Sequence, residues 1–340
     1  MKILLHTGKF KEVEKSGVGR AIVHQKKALD LMHIPYTTNP NDDFDIVHIN
    51  TIFPESLMLA KKCKQNGKKV IFHAHSTEED FRNSFKLSNG VSPLFRKWLK
   101  ICYGSADLLI TPTPYSKKVL EKYDLNKEII PISNGIDLEF FDIKKAKPED
   151  FRKKYGFTKE DKIIISVGLY IERKGILEFI ELARRLPQYK FVWFGYTNPA
   201  LVPVKIKEAM KNKTSNCFFP GYIKSDELKD AYAGCDLYIF PTKEETEGIV
   251  LLEALAMKTK TLVSDIPIYD EWLIDGVNIY KAKNIDEFEE KTKKIIEGKL
   301  PDLTKEGYKV ASDRDIKKIG YELKKTYEYV LEKDLVKWKS

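Results

Sequence analysis

Long apolar runs are missing from this sequence of 340 residues. A transmembrane helix needs about 20 consecutive apolar residues, and no uninterrupted stretch approaches that length. The first residues, MKILLHTG, are typical of a β-strand and lack the pattern of a signal peptide. The sequence therefore predicts a cytoplasmic protein with no membrane-spanning segment.

Cysteine is scarce as well, and its spacing argues against a fold stabilised by disulfides or by zinc. The four cysteines are Cys63, Cys102, Cys217 and Cys235, with no Cys-x-x-Cys pair and no metal-type spacing. We therefore expect buried thiols rather than disulfides or a zinc site.

Neither the charge nor the apolar content is extreme enough for a disordered chain. Hydrophobic residues make up 42% of the sequence and charged residues 32%, and the length suits two domains with separate cores. The net charge of +9 favours phosphates, nucleic acid or an anionic membrane as partners. Nucleic acid is the least attractive of these, because zinc-finger, aromatic RNA-binding and basic-heptad patterns are missing.

The segment Pro93–Tyr103 is both amphipathic and basic. If the segment is helical, its apolar face contains Leu94, Phe95, Trp98, Leu99, Ile101 and Cys102. The opposite face carries Arg96, Lys97 and Lys100, while Arg82 and Lys86 extend the basic region upstream. Such a helix suits the surface of an anionic membrane, and it equally suits packing on its own sheet with a solvated basic side.

Strand-like and helix-like segments alternate along the chain, which predicts an α/β protein with parallel sheets. The first five predicted strands are Lys2–His6, Asp45–Ile49, Lys69–His73, Asp107–Thr111 and Glu128–Ile132. The next five are Lys162–Val167, Lys190–Phe194, Asn216–Phe219, Asp236–Phe240 and Lys260–Ser264. Gly135, Pro148 and a charged run mark a boundary near residues 138–160. We therefore predict a first domain of residues 1–145 and a second of residues 146–317.

Two glutamates follow the predicted strand Asp236–Phe240. Glu245 lies at the mouth of a predicted helix, Gly248–Met257, and Glu253 lies about two turns inside it. Carboxylates suit hydroxyl-rich groups such as sugars, although glutamates near helix starts also serve as simple capping charges. Three backbone N–H groups at the helix start suit a phosphate, namely those of Gly248, Ile249 and Val250.

A second motif, GLYIERKG, follows the predicted strand Lys162–Val167 and opens a helix over Gly175–Leu186. Arg173 and Lys174 would stand at the helix N-terminus, where cations oppose the helix dipole unless a negative group is nearby. A nucleotide diphosphate would supply that charge. The neighbouring Glu172 is the alternative source of neutralisation.

Two motifs in the first half carry weaker signals. SGVGR follows the first strand, and its residues Gly17 and Gly19 permit close approach of the backbone to a ligand as the chain opens a helix at Ala21. His73 and His75 end the strand Lys69–His73, where alternate side chains point to the same side. Strand-end histidines are often structural, and nothing adjacent in sequence supplies a partner for a general base.

Five motifs fall in the order of one known family. They are SGVGR at 16–20, HAHS at 73–76, NGID at 134–137, GLYIERKG at 168–175 and EETEGIVLLEALA at 244–256. The last resembles the Glu-x7-Glu signature of retaining glycosyltransferase family 4. That resemblance implies the GT-B fold, with two Rossmann-like domains facing each other across a cleft and a nucleotide-sugar donor. It also implies a final helix that returns to the first domain, for which Ser312–Trp338 is the candidate. Residues from about 318 to 340 would then belong to the first domain.

The resemblance further implies roles for the motif residues. Arg173 and Lys174 would hold the donor diphosphate, Glu245 would orient the sugar and Glu253 the ribose. The family usually carries a more glycine-rich sequence, from which this chain departs just before Arg173. The SGVGR loop of similar enzymes reaches the donor phosphates, which is the role implied for two residues, Gly17 and Gly19. The sugar contact is implied for one of two histidines, His73 or His75.

The implied reaction is front-face transfer with retention at the anomeric carbon. A donor phosphate oxygen would help to deprotonate the acceptor, and Arg173 and Lys174 would stabilise the developing charge. Asp43 and Asp45 match the Asp-x-Asp metal motif of glycosyltransferases of another fold, but they lie far in sequence from the diphosphate motif. We therefore expect neither a metal nor a cofactor.

The acceptor is implied by the stretch SGVGRAIVHQKKALD, which includes His24 and Gln25. It is similar to bacterial enzymes that add a second hexose to glucosyl-diacylglycerol, a lipid of membranes and lipoteichoic-acid anchors. The donor would be UDP-glucose or UDP-galactose, and the enzyme would bind the inner face of the membrane peripherally. A capsular or exopolysaccharide glycosyltransferase with a polyprenyl-diphosphate acceptor remains the alternative. A noncatalytic nucleotide-sugar binding module is the alternative from another class.

Overall fold

The computed structural model describes residues 1–84 and 88–337. The chain forms two compact units. Unit 1 comprises Met1–Glu79, Gly90–Gly135 and the segment that starts at Arg314, and unit 2 comprises Asp80–Asn89 and Ile136–Asp313. The predicted domain limits at residues 145 and 317 remain predictions, since a compact unit need not be an independently folding domain.

Unit 1 contains a parallel sheet of six strands in the described part of the chain. The strands are β1 (Ile3–His6), β2 (Tyr36–Thr37), β3 (Ile46–Ile49), β4 (Lys69–His73), β5 (Leu108–Thr111) and β6 (Ile129–Pro131). Their order across the sheet is β2-β1-β3-β4-β5-β6. Strands β3 and β5 are buried along their whole length, as expected for a parallel sheet covered on both faces.

Helices cover both faces of this sheet. The helices before Gly135 are α1 (Phe10–Val13), α2 (Gly17–Leu31), α3 (Pro54–Gln65), α4 (Glu78–Phe81), α5 (Ser88–Gly104) and α6 (Pro114–Glu121). One core joins α3, α5 and α6 to the sheet through residues such as Leu57, Leu99 and Val119. The capping box between Thr113 and Ser116 fixes the start of α6, because each side chain bonds the backbone N–H of the other.

Unit 2 contains a second parallel sheet, again of six strands among the described residues. The strands are β7 (Ile163–Val167), β8 (Lys190–Phe194), β9 (Cys217–Gly221), β10 (Leu237–Phe240), β11 (Thr261–Ser264) and β12 (Tyr280–Ala282). Their order is β12-β11-β10-β7-β8-β9, so β7 and β10 are neighbours. The helices are α7 (Pro148–Lys154), α8 (Ile176–Arg185), α9 (Val204–Lys211), α10 (Ser225–Gly234), α11 (Ile249–Ala256), α12 (Ile285–Ile296) and α13 (Thr304–Ser312). All ten predicted strands are present near their predicted limits, and the short strands β2 and β12 were missed.

The start of α2 differs from the prediction. The helix begins at Gly17 rather than at Ala21, so the SGVGR motif forms its first turn. A Cβ on Gly19 would lie 2.4 Å from the carbonyl oxygen of Val13 at the end of α1. Glycine at this position therefore allows α1 and α2 to pack closely.

The predicted apolar face of the segment Pro93–Tyr103 is partly wrong. Leu94 and Ile101 are 66% and 52% exposed, whereas Leu99 and Cys102 are fully buried. Relative to the predicted face, the buried side of the helix is turned towards Tyr103. This residue belongs to the core and donates a hydrogen bond to the carbonyl of Ser76 at 2.8 Å. An apolar strip of α5 is thus left at the surface.

The predicted basic face of α5 also needs correction. The Arg96 side chain is 38% exposed, but its guanidinium donates to the carbonyl of Lys122 at 2.7 Å and lies over the ring of Tyr123. Lys97 is exposed and Lys100 is partly exposed. Of the upstream basic residues, Lys86 lies outside the described residues.

The last helix, α14 (Ile316–Lys337), belongs to unit 1 and packs against α2. The return of the final helix to the first part of the chain is therefore confirmed, while Trp338 lies outside the described residues. Gly320 is the point of closest approach. A Cβ there would lie 2.8 Å from Cγ of Met32 and 2.9 Å from the carbonyl oxygen of Ala28.

We predict that Gly320→Ala lowers the free energy of unfolding by about 1–3 kcal/mol, because the added methyl group overpacks the contact between α14 and α2. Gly104→Ala is the matched control, since a Cβ there meets no described atom within 4 Å. Urea unfolding of both variants measures the difference. Equal stabilities of the two variants would contradict this packing.

Candidate functional site

The two strongest sequence motifs meet in unit 2. Arg173 and Lys174 follow β7, and Glu245 follows β10. These strands are parallel neighbours, so their carboxyl ends open on the same edge of the sheet. Ligands of open α/β sheets bind at this edge. Parallel pairing therefore brings together residues that are separated by about 70 positions in the sequence.

Lys174 and Glu245 form the central ion pair of this site. The Lys174 ammonium donates a hydrogen bond to Oε1 of Glu245, and their side chains are 15% and 6% exposed. The same carboxylate oxygen accepts a hydrogen bond from the hydroxyl of Thr242 at 2.9 Å. Lys174 also lies over the ring of Phe240, at 5.7 Å from its centroid. The carboxylate is therefore held in one orientation by two donors.

Arg173 is fixed by a larger set of acceptors. Its Nη1 atom lies 2.8 Å from a carboxylate oxygen of Asp80 and donates to the carbonyl of Glu244 at 2.7 Å. Nε donates to the hydroxyl of Ser84 at 3.1 Å, and Glu245 Oε2 lies 3.9 Å from Nη1. The guanidinium is thus buried in a preformed site whose negative charge comes from Asp80 and Glu245.

The loop geometry around these residues differs slightly from the prediction. Arg173 and Lys174 lie in a short 3₁₀ turn that precedes α8, and Gly175 follows with a φ of +77°. A Cβ on Gly175 would lie 2.0 Å from the carbonyl oxygen of Pro241, so the loops after β7 and β10 touch through backbone atoms. Glu172, the alternative neutralising group, lies 3.7 Å from Lys205.

Burial and charge act on this cluster in opposite directions. Burial lowers the pKa of Lys174, and Arg173 adds to this effect while Glu245 opposes it. Burial alone would raise the pKa of Glu245, but Lys174 and Arg173 bring it below its ordinary value. Two cations, Lys174 and Arg173, favour the charged form of Glu245. The charged form of Lys174 is favoured by Glu245 but opposed by Arg173. Glu245 is consequently ionised at neutral pH.

The helix α11 carries the other predicted donor-binding residues of unit 2. Gly248 precedes the helix with a φ of +92°, a conformation that favours glycine. The first N–H groups of a helix, here including those of Ile249 and Val250, have no intrahelical acceptor. Glu253 is fully buried inside the helix, and Oε2 accepts a hydrogen bond from Tyr232 at 3.2 Å. The roles assigned to these residues remain predictions.

In unit 1, His73 and His75 lie side by side at the end of β4. Their rings stack with centroids 4.1 Å apart. A third ring, that of His48 in β3, lies parallel to that of His73, with centroids 5.4 Å apart and Nε2 of His48 3.2 Å from Nδ1 of His73. His48 was missed because its strand IVHI is otherwise a typical buried apolar run, in which a histidine gives no separate signal.

The three histidines are buried and neutral at physiological pH. Burial lowers the pKa of His48 to about 3, with a smaller effect from His75. Burial also lowers the pKa of His75 to about 3 and that of His73 well below its ordinary value. A neutral imidazole donates at one nitrogen and accepts at the other.

The two glycines of the SGVGR motif have different surroundings. A Cβ on Gly17 would meet no described atom within 4 Å, so its backbone can be approached closely. Gly19 is buried against α1 instead. Packing thus accounts for Gly19 without a ligand, and the phosphate role of both residues stays a prediction.

No group of three or more histidine, cysteine or acidic side chains in the described chain is arranged to hold a metal ion. Within unit 1, Asp43 pairs with Lys68, and Asp45 accepts a hydrogen bond from the backbone of Lys2 at 2.7 Å. Residues 1–84 and 88–337 also contain no helix that is long and apolar enough to span a membrane. As predicted, Cys63, Cys102 and Cys217 are buried, while Cys235 is partly exposed.

We predict that the free energy of unfolding falls as the pH is lowered from about 6.5 towards 3. In this window the unfolded chain protonates His48 and His75, whereas the folded chain keeps them neutral. Each such histidine contributes a slope of about 1.4 kcal/mol per pH unit. Denaturant unfolding at several pH values measures the slope. His75→Gln should reduce it, whereas His33→Asn, at an exposed position outside the stack, should not. Equal slopes in the two variants would contradict the neutral buried stack.

The chain aligns with Anabaena HepE in complex with UDP-glucose at a TM-score of 0.75, with 18% identity, over 97% of this chain and 100% of HepE. At this identity the likeness shows the fold alone. It is the two-domain arrangement of parallel α/β sheets that the sequence predicts.

Relatives in sequence are more informative. Over 97% of its length the chain is 42% identical to the processive diacylglycerol alpha-glucosyltransferase of Acholeplasma laidlawii, of which it covers 99%. It is 25% identical to the alpha-galactosylglucosyldiacylglycerol synthase of Streptococcus pneumoniae, over 75% of this chain and 69% of the relative. The family Glycosyltransferase Family 4 matches residues 27–140, and Glycosyl transferases group 1 matches residues 147–311. The chain therefore belongs to the group 1 and family 4 glycosyltransferases of the GT-B fold.

Proposed function

We propose that this enzyme transfers a hexose from a UDP-sugar to a diacylglycerol glycolipid, with retention of the α configuration. The observation that carries the proposal is the buried cluster of Lys174, Arg173 and Glu245 at the carboxyl edge of the unit 2 sheet. Such a cluster suits a ligand that is anionic at one end and rich in hydroxyl groups at the other, as a nucleotide sugar is.

The acceptor class is supported by the relatives. The Acholeplasma relative, which matches nearly the whole chain, is named a diacylglycerol glucosyltransferase. The pneumococcal relative is named for a galactosylglucosyl lipid. Full-length similarity at 42% identity favours UDP-glucose as the donor and diacylglycerol or glucosyl-diacylglycerol as the acceptor.

Each member of the donor cluster has a distinct proposed role. Lys174 and Arg173 offset the charge that develops on the leaving UDP, because fixed cations in a buried site need no reorganisation during the reaction. A lysine ammonium has three donors, so Lys174 can bind Glu245 and a phosphate oxygen together. Glu245, being ionised, accepts hydrogen bonds from sugar hydroxyls.

The remaining predicted residues complete the donor site. Glu253 is proposed to orient the ribose, and the N–H groups from Gly248 to Val250 to bind a phosphate. The acceptor is deprotonated with the help of a donor phosphate oxygen, so the proposed reaction needs neither a metal nor an enzyme nucleophile. His73 contributes a sugar contact in this scheme.

We predict that UDP release from UDP-glucose depends on glucosyl-diacylglycerol or diacylglycerol in anionic vesicles, and that it persists in EDTA. NMR of the lipid product should show a new α-glucosidic linkage. UDP-galactose in parallel assays identifies the sugar. Transfer to a polyprenyl-diphosphate sugar and not to the lipids would contradict the acceptor assignment, and a β-linked product would contradict retention.

We further propose that unit 1 binds the membrane surface through α5. An apolar strip on this helix is exposed, with Val91, Leu94 and Ile101 at 42%, 66% and 52% exposure. Lys97 and Lys100 lie on the same helix at exposed and partly exposed positions. Apolar side chains next to lysines suit insertion at the boundary between acyl chains and anionic headgroups. The amphipathic segment predicted from sequence thus retains its proposed role through a narrower apolar strip, which keeps Leu94 and Ile101 of the predicted face and adds Val91.

We predict that Leu94→Ser combined with Ile101→Ser weakens binding to anionic vesicles by tenfold or more, since each buried side chain contributes about 1.5–3 kcal/mol. Ile274→Ser with Val277→Ser is the matched control, because both residues are 55% exposed in unit 2. Vesicle cosedimentation measures the binding. Equal binding by the two double variants would exclude α5 as the attachment site.

A further inference from the structure

A chain of buried polar groups runs through unit 1 from α14 to the end of β4. Oη of Tyr327 lies 2.7 Å from Nδ1 of His48, and Nε2 of His48 lies 3.2 Å from Nδ1 of His73. All three side chains are at most 2% exposed. The two histidines are separated from Tyr327 by more than 250 residues, so this chain exists only in the folded protein.

A second set of contacts shows which atoms donate and which accept in these hydrogen bonds at His73. The side-chain amides of Gln25 and Asn50 face each other, and each NH₂ group donates to the oxygen of the other at 2.8 Å. His75 Nε2 lies 2.9 Å from the oxygen of Asn50 and donates to it. The amide nitrogen of Gln25 also lies 2.9 Å from Nδ1 of His73. An amide NH₂ can only donate, so Nδ1 of His73 is an acceptor.

The proton positions follow from that acceptor. His48 reaches the same Nδ1 atom of His73 through Nε2, which must therefore carry a proton. Nδ1 of His48 is then an acceptor for the hydroxyl of Tyr327. Burial keeps the pKa of His73 well below its ordinary value, so its single proton resides on Nε2.

Nε2 of His73 is the end of the chain. It is buried and has no hydrogen-bond partner among the described residues. A buried donor without a partner is unfavourable, which calls for a functional explanation. His73 ends β4, and the carboxyl ends of parallel strands form the ligand-binding edge.

We propose that Tyr327, His48 and Gln25 are positioning residues that hold His73 as an Nε2–H donor to a hydroxyl oxygen of the transferred sugar. The sugar contact rests on the proposed glycosyl transfer. The tautomer rests only on the hydrogen bonds within unit 1. In this arrangement His73 orients the substrate and does not remove a proton from it, because its basic nitrogen is already occupied by two donors.

NMR of the full chain with ¹⁵N-labelled histidine tests the tautomer. Protonated and unprotonated ring nitrogens resonate far apart. The protein has six histidines, so the signals of each can be assigned by substitution. In the wild type we expect a proton on Nε2 of both His48 and His73. A proton on Nδ1 of His73 would overturn the inference.

Gln25→Glu tests the direction of the chain. A carboxylate accepts where the amide donated, so the proton of His73 should move to Nδ1 and its free Nε2 should become an acceptor. For the transfer reaction we expect KM for the UDP-sugar to rise together with a loss of kcat. An unchanged His73 tautomer in this variant would contradict the proposal.

Tyr327→Phe removes one hydroxyl and is the gentler variant if Gln25→Glu does not fold. We expect the ¹⁵N signal of Nδ1 of His48 to shift because this nitrogen loses the hydroxyl donor, and kcat/KM to fall about two- to tenfold, as for the loss of one hydrogen bond. Tyr123→Phe is the matched control, because the hydroxyl of Tyr123 is buried in unit 1 but bonds Glu78 and Glu79 instead. Equal effects of the two variants on the His48 signals and on kcat/KM would overturn the positioning role.

The same experiments separate the two proposals. If the wild type transfers no hexose, the proposed function and the sugar contact both fail, while the NMR result still decides the tautomer. If transfer occurs and His73 carries its proton on Nδ1, the inference fails and the proposed function stands.

Discussion

The contact between Lys174 and Glu245 determines how the site in unit 2 is built. It links the loop after β7 to the loop after β10, and it exists because these distant strands pair in parallel. A buried ion pair is weak support for stability, since desolvation of both charges offsets much of their attraction. Its value here is geometric. The pair holds an ionised carboxylate and a cation at the sheet edge where a nucleotide sugar is proposed to bind. Arg173 adds a second cation beside the carboxylate, and Asp80 neutralises part of the charge of Arg173.

The carboxyl edges of the two parallel sheets carry different chemical groups. In unit 2 the strand ends carry charges, which suit a diphosphate. In unit 1 the ends of β3 and β4 carry histidines, which burial keeps neutral by lowering their pKa, and side-chain amides, which bear no charge. Neutral donors suit hydroxyl groups, because they define a direction without attracting anions. A glycosyltransferase needs both kinds of recognition, one for the leaving nucleotide and one for the sugar.

The sequence predicted the elements that depend on local pattern. Apolar runs located ten strands, and Arg173, Lys174 and Glu245 were correctly predicted to follow two of them. It missed β2 and β12, because two or three residues do not form a recognisable pattern. Helical periodicity gave the amphipathic character of α5 but not its rotation, which packing of Tyr103 decides. The Tyr327–His48 contact joins residues 279 positions apart and has no local signature.

The most direct test of this account is a double-mutant cycle on Lys174→Met and Glu245→Gln, with unfolding free energy and transfer rate measured for all four proteins. Glu245→Gln should lose about 3–5 kcal/mol, because it leaves the buried Lys174 ammonium without its carboxylate partner, whereas Lys174→Met should lose less, because Arg173 still lies 3.9 Å from Glu245. The double variant should recover most of that stability and remain slow in transfer, because the cation for the leaving diphosphate is gone. Wild-type transfer by the double variant would contradict the central role of this ion pair.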